Sequence, residues 1–226
     1  MNSNHSSTIV AVIGGTGKEG KGLAYRWAKA GYKIMIGSRT PAKANSVADE
    51  IKALSNEALP VRGTDNLTAA DSADIIVLSV PYKAHRLTLE SIKSALPGKL
   101  LIDVTVPLVP PNVAKVQMPP AGSAAQEARE ILGEENVAIC TAFQNISHEH
   151  LLKGNDVLCD VLVTGTSEGA RADTIKLVEA AGLRAWDAGP LENSVVVEGL
   201  TSVLIGINKR YGSSHAGIII TGVEKQ

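Results

Sequence analysis

A glycine-rich segment near the start of the chain has the residue types and the spacing of a turn that binds phosphate groups. It fits the pattern G-x-G-x-x-G and comprises Gly15, Thr16, Gly17, Lys18, Glu19 and Gly20. In such a turn Gly15 permits a tight bend, Gly17 lets the backbone approach a pyrophosphate, and Gly20 lets the following helix pack closely. The helix N-terminus and the Thr16 hydroxyl supply hydrogen-bond donors. The segment predicts dinucleotide binding, with a purely structural turn as the alternative.

The continuation of this segment predicts which dinucleotide is bound. An acidic residue is expected about 20 residues after the glycines where the ribose of NAD is held, but Ser38 and Arg39 stand there, with Lys43 close by. A hydroxyl, a guanidinium and an ammonium group are complementary to a phosphate dianion. NADP(H) is therefore favoured over NAD(H). A solvated loop charge is the other interpretation of Arg39, and it leaves the missing acid unexplained.

The elements that must position these residues alternate between short apolar runs and helical patterns. The runs cover 8–14, 32–38, 74–80, 99–105, 136–142, 160–165 and 184–189. Continuous apolar runs are typical of parallel strands that are covered on both faces. Apolar residues recur at helical spacing from Gly20 to Ala28 and from Ala44 to Leu54. This order predicts an α/β fold with a Rossmann-type, doubly wound and mostly parallel sheet.

We expect an NADP-binding domain over 1–141 and a small helical C-terminal lobe over 142–226 that packs against it, or else one continuous domain. Within the lobe, residues 191–210 are apolar around most of a helix circumference, with Val196, Val203 and Ile207 among them. A helix of this kind has to be buried. A second copy of the chain would bury it in a homodimer. Packing against the chain's own sheet is the alternative.

Ligands of open α/β sheets bind beyond the carboxyl ends of the strands, which selects the segments 79–85, 103–112 and 142–150. Pro81 and Pro107 would each end a strand and turn the chain across a nicotinamide pocket, or they are ordinary loop prolines. Reduction of a ketone needs a proton donor near the hydride acceptor, commonly a Tyr-x-x-x-Lys pair or a Lys with an Asn four residues later on a helix. Neither pair stands in a suitable place in this sequence. This fits a hydride that passes directly between two flat rings, for which the protein supplies position and a dry pocket.

The sequence His148, Glu149, His150 does not predict a metal site. Residues two apart on a helix do not share a face, and no third ligand follows at a suitable spacing. We expect Ser147 to begin a helix with these residues in its first turn.

Composition excludes several kinds of partner. Twenty-two basic residues balance 23 acidic ones, at a pI of about 6.5, which argues against a nucleic-acid or anionic-membrane surface. No apolar run approaches the roughly 20 residues of a membrane span, and the N-terminal MNSNHSST lacks the features of a secretory leader. We therefore expect a cytoplasmic protein. Cys140 and Cys159 lie in apolar runs and are expected to be buried free thiols.

Five segments together resemble one known family, the F420-dependent NADP oxidoreductases. They are GGTGKEGKGLA at 14–24, GSRTPAK at 37–43, SVPY at 79–82, DAGPLENS at 187–194 and VEGLTSVLIGIN at 197–208. A Val-Pro pair at 106–107, followed by Ser-Ala-Ala at 123–125, also matches. The likeness is collinear over essentially the whole chain, and the segments are far more specific together than any of them alone.

The resemblance implies a Rossmann-type homodimer that exchanges hydride between NADP(H) and the 5-deazaflavin coenzyme F420. The residues that match those holding NADP are Thr16, Ser38, Arg39 and Lys43. The loops at Val80, Pro81 and Pro107 match the deazaflavin side. The segment 143–146 also matches the deazaflavin side, and there Gln144 and Ile146 would lie beside the stacked rings. Family members carry His at the position of Gln144, and glutamine keeps a hydrogen bond but carries no charge.

Other classes are compatible with the same N-terminal half. It is also similar to the reductase domain of membrane metalloreductases, to pyrroline-5-carboxylate reductases and to β-hydroxyacid dehydrogenases, and the last two need a larger helical C-terminal region. Two alternative functions are therefore kept. One is an NADPH-dependent flavin or ferric-chelate reductase, and the other is a non-catalytic NADP(H)-sensing protein.

Overall fold

The structure is a computed structural model that describes residues 7–133, 136–152 and 157–224. Its strands are β1 (Ile9–Ile13), β2 (Lys33–Ser38), β3 (Val61–Asp65), β4 (Ile75–Leu78), β5 (Leu100–Asp103), β6 (Ala138–Thr141), β7 (Asp160–Gly165) and β8 (Arg184–Pro190). Its helices are α1 (Lys18–Lys29), α2 (Pro41–Ala53), α3 (Asn66–Asp71), α4 (Tyr82–Ile92), α5 (Ala124–Leu132), α6 (His148–Leu151), α7 (Glu168–Ala180) and α8 (Ser194–Tyr211).

The described strands form one sheet in the order β3-β2-β1-β4-β5-β6-β7-β8. Strands β1 to β6 pair in parallel, β7 pairs antiparallel with β6, and β8 is parallel to β7. The order reverses between β1 and β4, which is the switch point where doubly wound sheets bind ligands. The predicted Rossmann-type, mostly parallel fold is confirmed, and the chain after residue 141 adds two strands to the sheet besides its helices.

Each of the seven predicted apolar runs contains or overlaps a strand, but β3 was not predicted. Its sequence, VRGTD, is mostly polar because β3 is an edge strand that faces solvent along one side. Gly63 lies in its middle, and a Cβ there would overlap the backbone of Ala44 and Asn45. Helix α2 therefore packs directly on the β3 backbone, and a glycine that lowers strand propensity is what permits this contact.

Helix α1 buries the predicted apolar stripe and is anchored by Trp27. The Trp27 side chain is fully buried, and its Nε1 donates a hydrogen bond to the Leu177 carbonyl oxygen at 2.8 Å. Its ring meets the Phe143 ring edge-on, with 5.7 Å between the centroids. A tryptophan with its N–H satisfied is a favourable core residue. Trp27 thus joins the helix behind the glycine turn to α7 and to the segment after β6.

Arg26, the neighbour of Trp27, binds the ends of two other helices. Its three guanidinium nitrogens donate to the carbonyl oxygens of His150, Leu151 and Ala181 at 2.8–2.9 Å. Carbonyls at helix C-termini have no partner within their own helix, so Arg26 satisfies groups at the C-terminal ends of both α6 and α7.

Helix α8 packs against the rest of the chain on one side and leaves an apolar stripe on the other. Val197 and Leu204 are buried, whereas Val196, Val203 and Ile207 are 68%, 47% and 41% exposed. The exposed positions recur at helical spacing, so they share one face. Packing against the chain's own sheet, the alternative expected from the sequence, therefore covers only part of this helix.

Both cysteines are free and buried, as predicted. In the described part of the chain, no helix combines the length and the apolar character needed to cross a membrane. Residues 1–6, which include most of the polar N-terminal segment discussed above, lie outside the described residues.

Candidate functional site: two cavities at the carboxyl ends of the strands

The glycine turn joins β1 to α1 as predicted, and the residue with a left-handed conformation is Gly14, directly before the motif. Gly14 has φ = +75°, and a Cβ on it would lie 2.5 Å from the Ser79 carbonyl oxygen. The turn is closed by a hydrogen bond from the Gly17 N–H to the Gly14 carbonyl at 3.0 Å. A Cβ at Gly20 would lie 2.9 Å from the Gly15 Cα, which confirms that Gly20 allows close packing of helix and turn.

A first cavity, which we call the nucleotide cavity, opens at the ends of β1, β2 and β4 and has a volume of about 240 Å³. It is lined by Gly14, Thr16, Gly17, Ser38, Arg39, Asn66, Ser79, Val80, Pro81, Ala84 and Thr88. Six of the predicted site residues therefore share one cavity. Gly15 and Gly20 lie behind it in the turn, Lys18 and Glu19 begin α1, and Lys43 is exposed in the first turn of α2 without lining the cavity.

The end of β2 is arranged to leave hydrogen-bond donors free. The Ser38 side chain is buried, and its Oγ accepts from the Thr40 N–H at 3.2 Å. The side chains of Arg39 and Lys43 are exposed, and among the described residues neither side chain has a hydrogen bond or an ion pair. Thr40 stands at the N-cap of α2 with Pro41 after it, and its side chain makes no capping bond to the described backbone. The first turn of α2 contains Lys43 and no acidic residue, which favours binding of an anion at this helix end.

Glu19 is the acidic residue closest to the glycine turn, since it lies in the first turn of α1. Burial raises the pKa of Glu19 to about 8. A raised pKa favours the neutral form, so Glu19 carries less negative charge near a bound pyrophosphate than an ordinary glutamate would.

A second cavity, the α8 cavity, has a volume of about 460 Å³. It is lined by Val113, Gln144, Asn145, Ile146, Ser147, His148, Glu149, Thr201, Leu204, Ile205, Asn208, Lys209, Ser213, Ser214 and Ala216. It contains both residues predicted to lie beside the stacked rings, Gln144 and Ile146. Pro107 is buried and lines neither cavity.

The segment after β6 enters the α8 cavity through a strained turn. Phe143 has φ = +75°, the one positive value found for a non-glycine residue in the described chain. The turn closes with a hydrogen bond from the Ile146 N–H to the Phe143 carbonyl at 3.1 Å. A non-glycine residue in this region costs about 1–3 kcal/mol and persists only where the surroundings hold it. Here the Phe143 ring is fully buried against Trp27.

Asp103, at the end of β5, links three of the strand-end segments. Its Oδ2 is 2.7 Å from Nε2 of His85 on α4, and its Oδ1 accepts from the Thr105 N–H at 2.9 Å. Its backbone carbonyl accepts from Nε2 of Gln144 at 2.8 Å. Asp103 and His85 are both buried. One residue therefore fixes α4, the loop after β5 and a side chain of the α8 cavity relative to each other.

The pair of His85 and Asp103 was not predicted from the sequence. The two residues are 18 positions apart on different elements, and neither lies in a recognisable motif. Asp103 could have been noticed as an acid that ends an apolar strand, but only the parallel pairing of β4 with β5 brings α4 over it. The pair lines neither cavity, so its role at the site is to position the residues that do.

Glu198 joins α8 to the rest of the site. Its buried carboxylate accepts from the backbone N–H groups of Ala124 and Ala125 at 2.7 and 3.1 Å, at the N-terminus of α5. Burial, with the charge of Asp103 as a further cause, raises the pKa of Glu198 to about 8 despite these donors. One turn earlier, the Ser194 hydroxyl lies 2.7 Å from that of Ser123. Two side chains on one face of α8 thus hold the start of α5.

His148, Glu149 and His150 form most of the short helix α6, with Ser147 at its N-cap as expected. The His150 and His215 rings are 4.5 Å apart between centroids. Within the ranges that the structure describes, no group of three or more His, Cys, Asp or Glu side chains is arranged to hold a metal ion.

Comparison with known proteins identifies the family. Residues 9–107 match the model of the family described as NADP oxidoreductase, coenzyme F420-dependent. The F420-dependent NADP reductase of Methanocaldococcus jannaschii is 38% identical over 223 residues, which cover 95% of this chain and 99% of that protein. The F420-dependent NADP reductase of Methanothermobacter thermautotrophicus is 39% identical over 223 residues, covering 96% of each.

Among solved structures, one from Arthrobacter sp. FB24 superposes with a TM-score of 0.78, covering 95% of this chain and 99% of that one at 20% identity. At that identity the likeness concerns the fold alone. Topology and sequence together define the chain as a Rossmann-type oxidoreductase. It belongs to the coenzyme F420-dependent NADP oxidoreductase family.

Replacing Asp103 tests the link between the strand ends. Burial lowers the pKa of His85, but the charge of Asp103 and the hydrogen bond to it outweigh burial, so the pKa lies above its usual 6.5. A group whose pKa is raised by folding stabilises the protein below its unfolded pKa and loses this contribution as the pH rises through the folded value. We expect Asp103→Asn to lower the free energy of unfolding by about 3 kcal/mol at pH 6, with a smaller difference at higher pH.

Urea unfolding of the wild type and Asp103→Asn across this pH range measures both the loss and its pH dependence. Asp71→Asn removes the same charge at an exposed position and should change stability little at any pH. A loss in Asp103→Asn that is the same at low and high pH would contradict the assignment of a charged pair.

Proposed function

We propose that this chain transfers a hydride between NADP(H) and the deazaflavin coenzyme F420. The near full-length identity to two F420-dependent NADP reductases carries the proposal. The two cavities fit it, because both follow carboxyl ends of parallel strands on the same edge of the sheet. When both molecules are bound, the nicotinamide and deazaflavin rings supply the redox chemistry, a hydride exchange with uptake or release of one proton.

The two parts of the chain would divide the binding between them. The N-terminal part, up to residue 141, provides every residue that lines the nucleotide cavity. The part from 142 onward provides nearly all the lining of the α8 cavity, with Val113 as the exception. We therefore propose that residues 1–141 act as the NADP-binding part and residues 142–226 as the substrate-side part of the chain.

The nucleotide cavity offers the groups that NADP(H) needs. The backbone of the glycine turn and the Thr16 hydroxyl would bind the pyrophosphate, and Ser38, Arg39 and Lys43 would bind the 2′-phosphate. Lys43 lies one turn into α2, so its long side chain can reach the phosphate from outside the cavity. The buried Oδ1 of Asn66 lacks a hydrogen-bond partner among the described residues. It is therefore an acceptor for a ribose hydroxyl or an adenine amino group.

The α8 cavity suits a flat ring with polar edges. Ile146, Leu204 and Ile205 provide apolar surface, and Gln144 and Asn145 provide amides. Direct ring-to-ring transfer requires position and exclusion of water more than an acid or base. Gln144 and Ile146 would lie beside the reacting rings. Val80 and Pro81, at the border of the nucleotide cavity, would position the nicotinamide. Pro107 lies buried within the loop after β5.

We also propose that the protein is a homodimer through α8 and that it acts in the cytoplasm. The stripe of Val196, Val203 and Ile207 leaves apolar surface exposed on a helix that is otherwise tightly held, and a two-fold partner would cover it with the same stripe. The buried free thiols of Cys140 and Cys159 suit a reducing compartment.

An acceptor screen tests the activity. NADPH is mixed with the protein and, in turn, with F420, FMN, FAD and ferric chelates, while NADPH and acceptor absorbance are recorded. We expect loss of deazaflavin absorbance in step with NADPH oxidation, and much slower reaction with the other acceptors. Faster reduction of a flavin or a ferric chelate would contradict the assignment. NADPH binding without oxidation by any acceptor would instead favour a sensor.

Arg39→Ala tests the phosphate site. We expect the dissociation constant for NADPH to rise by about one to two orders of magnitude, the value of a hydrogen bond to a charged group, while the constant for NADH changes little. Isothermal titration measures both. Arg62→Ala removes an exposed guanidinium near the opposite end of the sheet and serves as the control. Equal losses for both dinucleotides in Arg39→Ala would show that Arg39 does not bind the 2′-phosphate.

Val203→Glu tests the dimer. A carboxylate in the centre of an apolar two-fold interface faces its own copy and loses hydration, so we expect a monomer. Light scattering after size-exclusion chromatography measures the mass. Leu87→Glu changes an even more exposed apolar residue on α4, 71% exposed, and should leave the dimer intact. A wild-type monomer, or a dimer that persists in Val203→Glu, would refute this interface.

A further inference from the structure

Gln144 and Asn145 are adjacent amides at the border of the α8 cavity, and both direct their NH₂ groups into the protein. Nε2 of Gln144 donates to the Asp103 carbonyl oxygen at 2.8 Å. Nδ2 of Asn145 donates to the Asp160 carbonyl oxygen at 2.6 Å and lies 3.3 Å from Cys159 Sγ. A carbonyl oxygen accepts only, so these partners fix which end of each amide is nitrogen.

The amide orientation leaves two acceptors without partners. Oε1 of Gln144 and Oδ1 of Asn145 are buried, and neither has a hydrogen-bond partner among the described residues. A buried acceptor without a donor costs stability, and native proteins rarely keep such groups without a reason. Two on consecutive residues that both line a 460 Å³ cavity indicate that a ligand supplies the donors.

The backbone of this segment is held rigidly enough for such recognition. Phe143 stays in its left-handed conformation while its ring packs on Trp27. From the opposite side, the Thr201 hydroxyl of α8 donates to the Gln144 carbonyl oxygen at 2.7 Å. The side chains are held by Asp103 and Asp160, which lie on different strands. Preorganised groups of this kind lose little entropy when a ligand binds.

We propose that Gln144 and Asn145 determine specificity for the second substrate because their two side-chain oxygens together accept one shared, three-centre hydrogen bond from an imide-type N–H on its ring. The inference rests on the proposed function and extends it, because it names the edge of the ring that the protein recognises. The pyrimidine-like edge of a deazaflavin carries such an N–H between two carbonyl groups. A ring without that donor would leave both amide oxygens buried and unpaired in the complex as well.

The proposal also predicts that histidine at position 144 would preserve recognition of the ring. A neutral imidazole has one N–H donor and one acceptor nitrogen. It can donate to the Asp103 carbonyl and still present an acceptor to the ligand. Glutamine retains this donor and acceptor pattern without the option of a charge.

The test measures ring binding in the absence of NADPH. Titration by fluorescence quenching gives dissociation constants for an 8-hydroxy-5-deazaflavin and for the same ring methylated at the imide nitrogen. Because the methyl group removes the one N–H donor of that edge, we expect it to weaken binding to the wild type by about 5- to 10-fold. Gln144→Met and Asn145→Leu should weaken binding of the parent ring similarly and leave binding of the methylated ring almost unchanged.

Two further variants separate recognition from structural damage. Gln144→His, which keeps a donor and an acceptor, should restore much of the preference for the parent ring that Gln144→Met loses. Val113→Ala, an apolar change in the same cavity, should affect both rings equally. Melting temperatures within about 3 °C of the wild type would show that the variants are folded, since this corresponds to about 1 kcal/mol at this size.

Equal binding of the two rings to the wild type, or an equal loss for both rings in Gln144→Met and Asn145→Leu, would overturn the proposal. Failure of the proposed function alone would give a different result. The wild type would then bind the ring with the expected preference but would not oxidise NADPH with F420 in the acceptor screen.

Discussion

The arrangement of both cavities depends on one buried constraint, the three-way bonding of Asp103. Parallel strands place their carboxyl ends at one edge of the sheet, but the loops that follow are free to diverge. Asp103 holds them together, because its carboxylate binds His85 and the Thr105 N–H while its carbonyl binds Gln144. An unpaired carboxylate would be very unfavourable in so buried a place. Pairing with His85 therefore allows a charged residue, Asp103, to occupy the buried position that links the three segments.

A second aspartate repeats this arrangement on the far side of β6. The carboxylate of Asp160 accepts from Arg184, from the Trp186 N–H at 2.7 Å and from the Ile220 N–H at 2.7 Å, while its carbonyl accepts from Asn145. Two acidic residues at the ends of different strands thus each hold one of two neighbouring amides. Helix α8 completes the enclosure through Thr201 and Glu198. The α8 cavity is lined by the segment after β6 and by α8 itself, and its supports are strand ends and helix ends.

Local patterns in the sequence predicted the fold and half of the site. Seven strands, the glycine turn and the end of β2 depend on residues close together in the chain, so periodicity and spacing indicate them directly. Strand β3 was missed because its edge position and its contact with α2 select polar residues and Gly63, which contradict strand propensity. The motif indicates the composition of the glycine turn but not its dihedral angles, so it could not predict that Gly14 adopts the left-handed conformation. His85 and Asp103 meet only in three dimensions, and no spacing rule could have paired them.

Arg26 has a consequence for how the molecule is made. Its three acceptors lie 124, 125 and 155 residues further along the chain, so during synthesis helix α1 leaves the ribosome long before the helix ends that it will bind. Until then its guanidinium is hydrated and the apolar surface around Trp27 lacks the cover of α7 and Phe143. The first strands and helices can pair early because their contacts are close in sequence. The native core is complete only when the last third of the chain packs against the first helix. The nascent chain is therefore most prone to aggregation while only its N-terminal half has been synthesised.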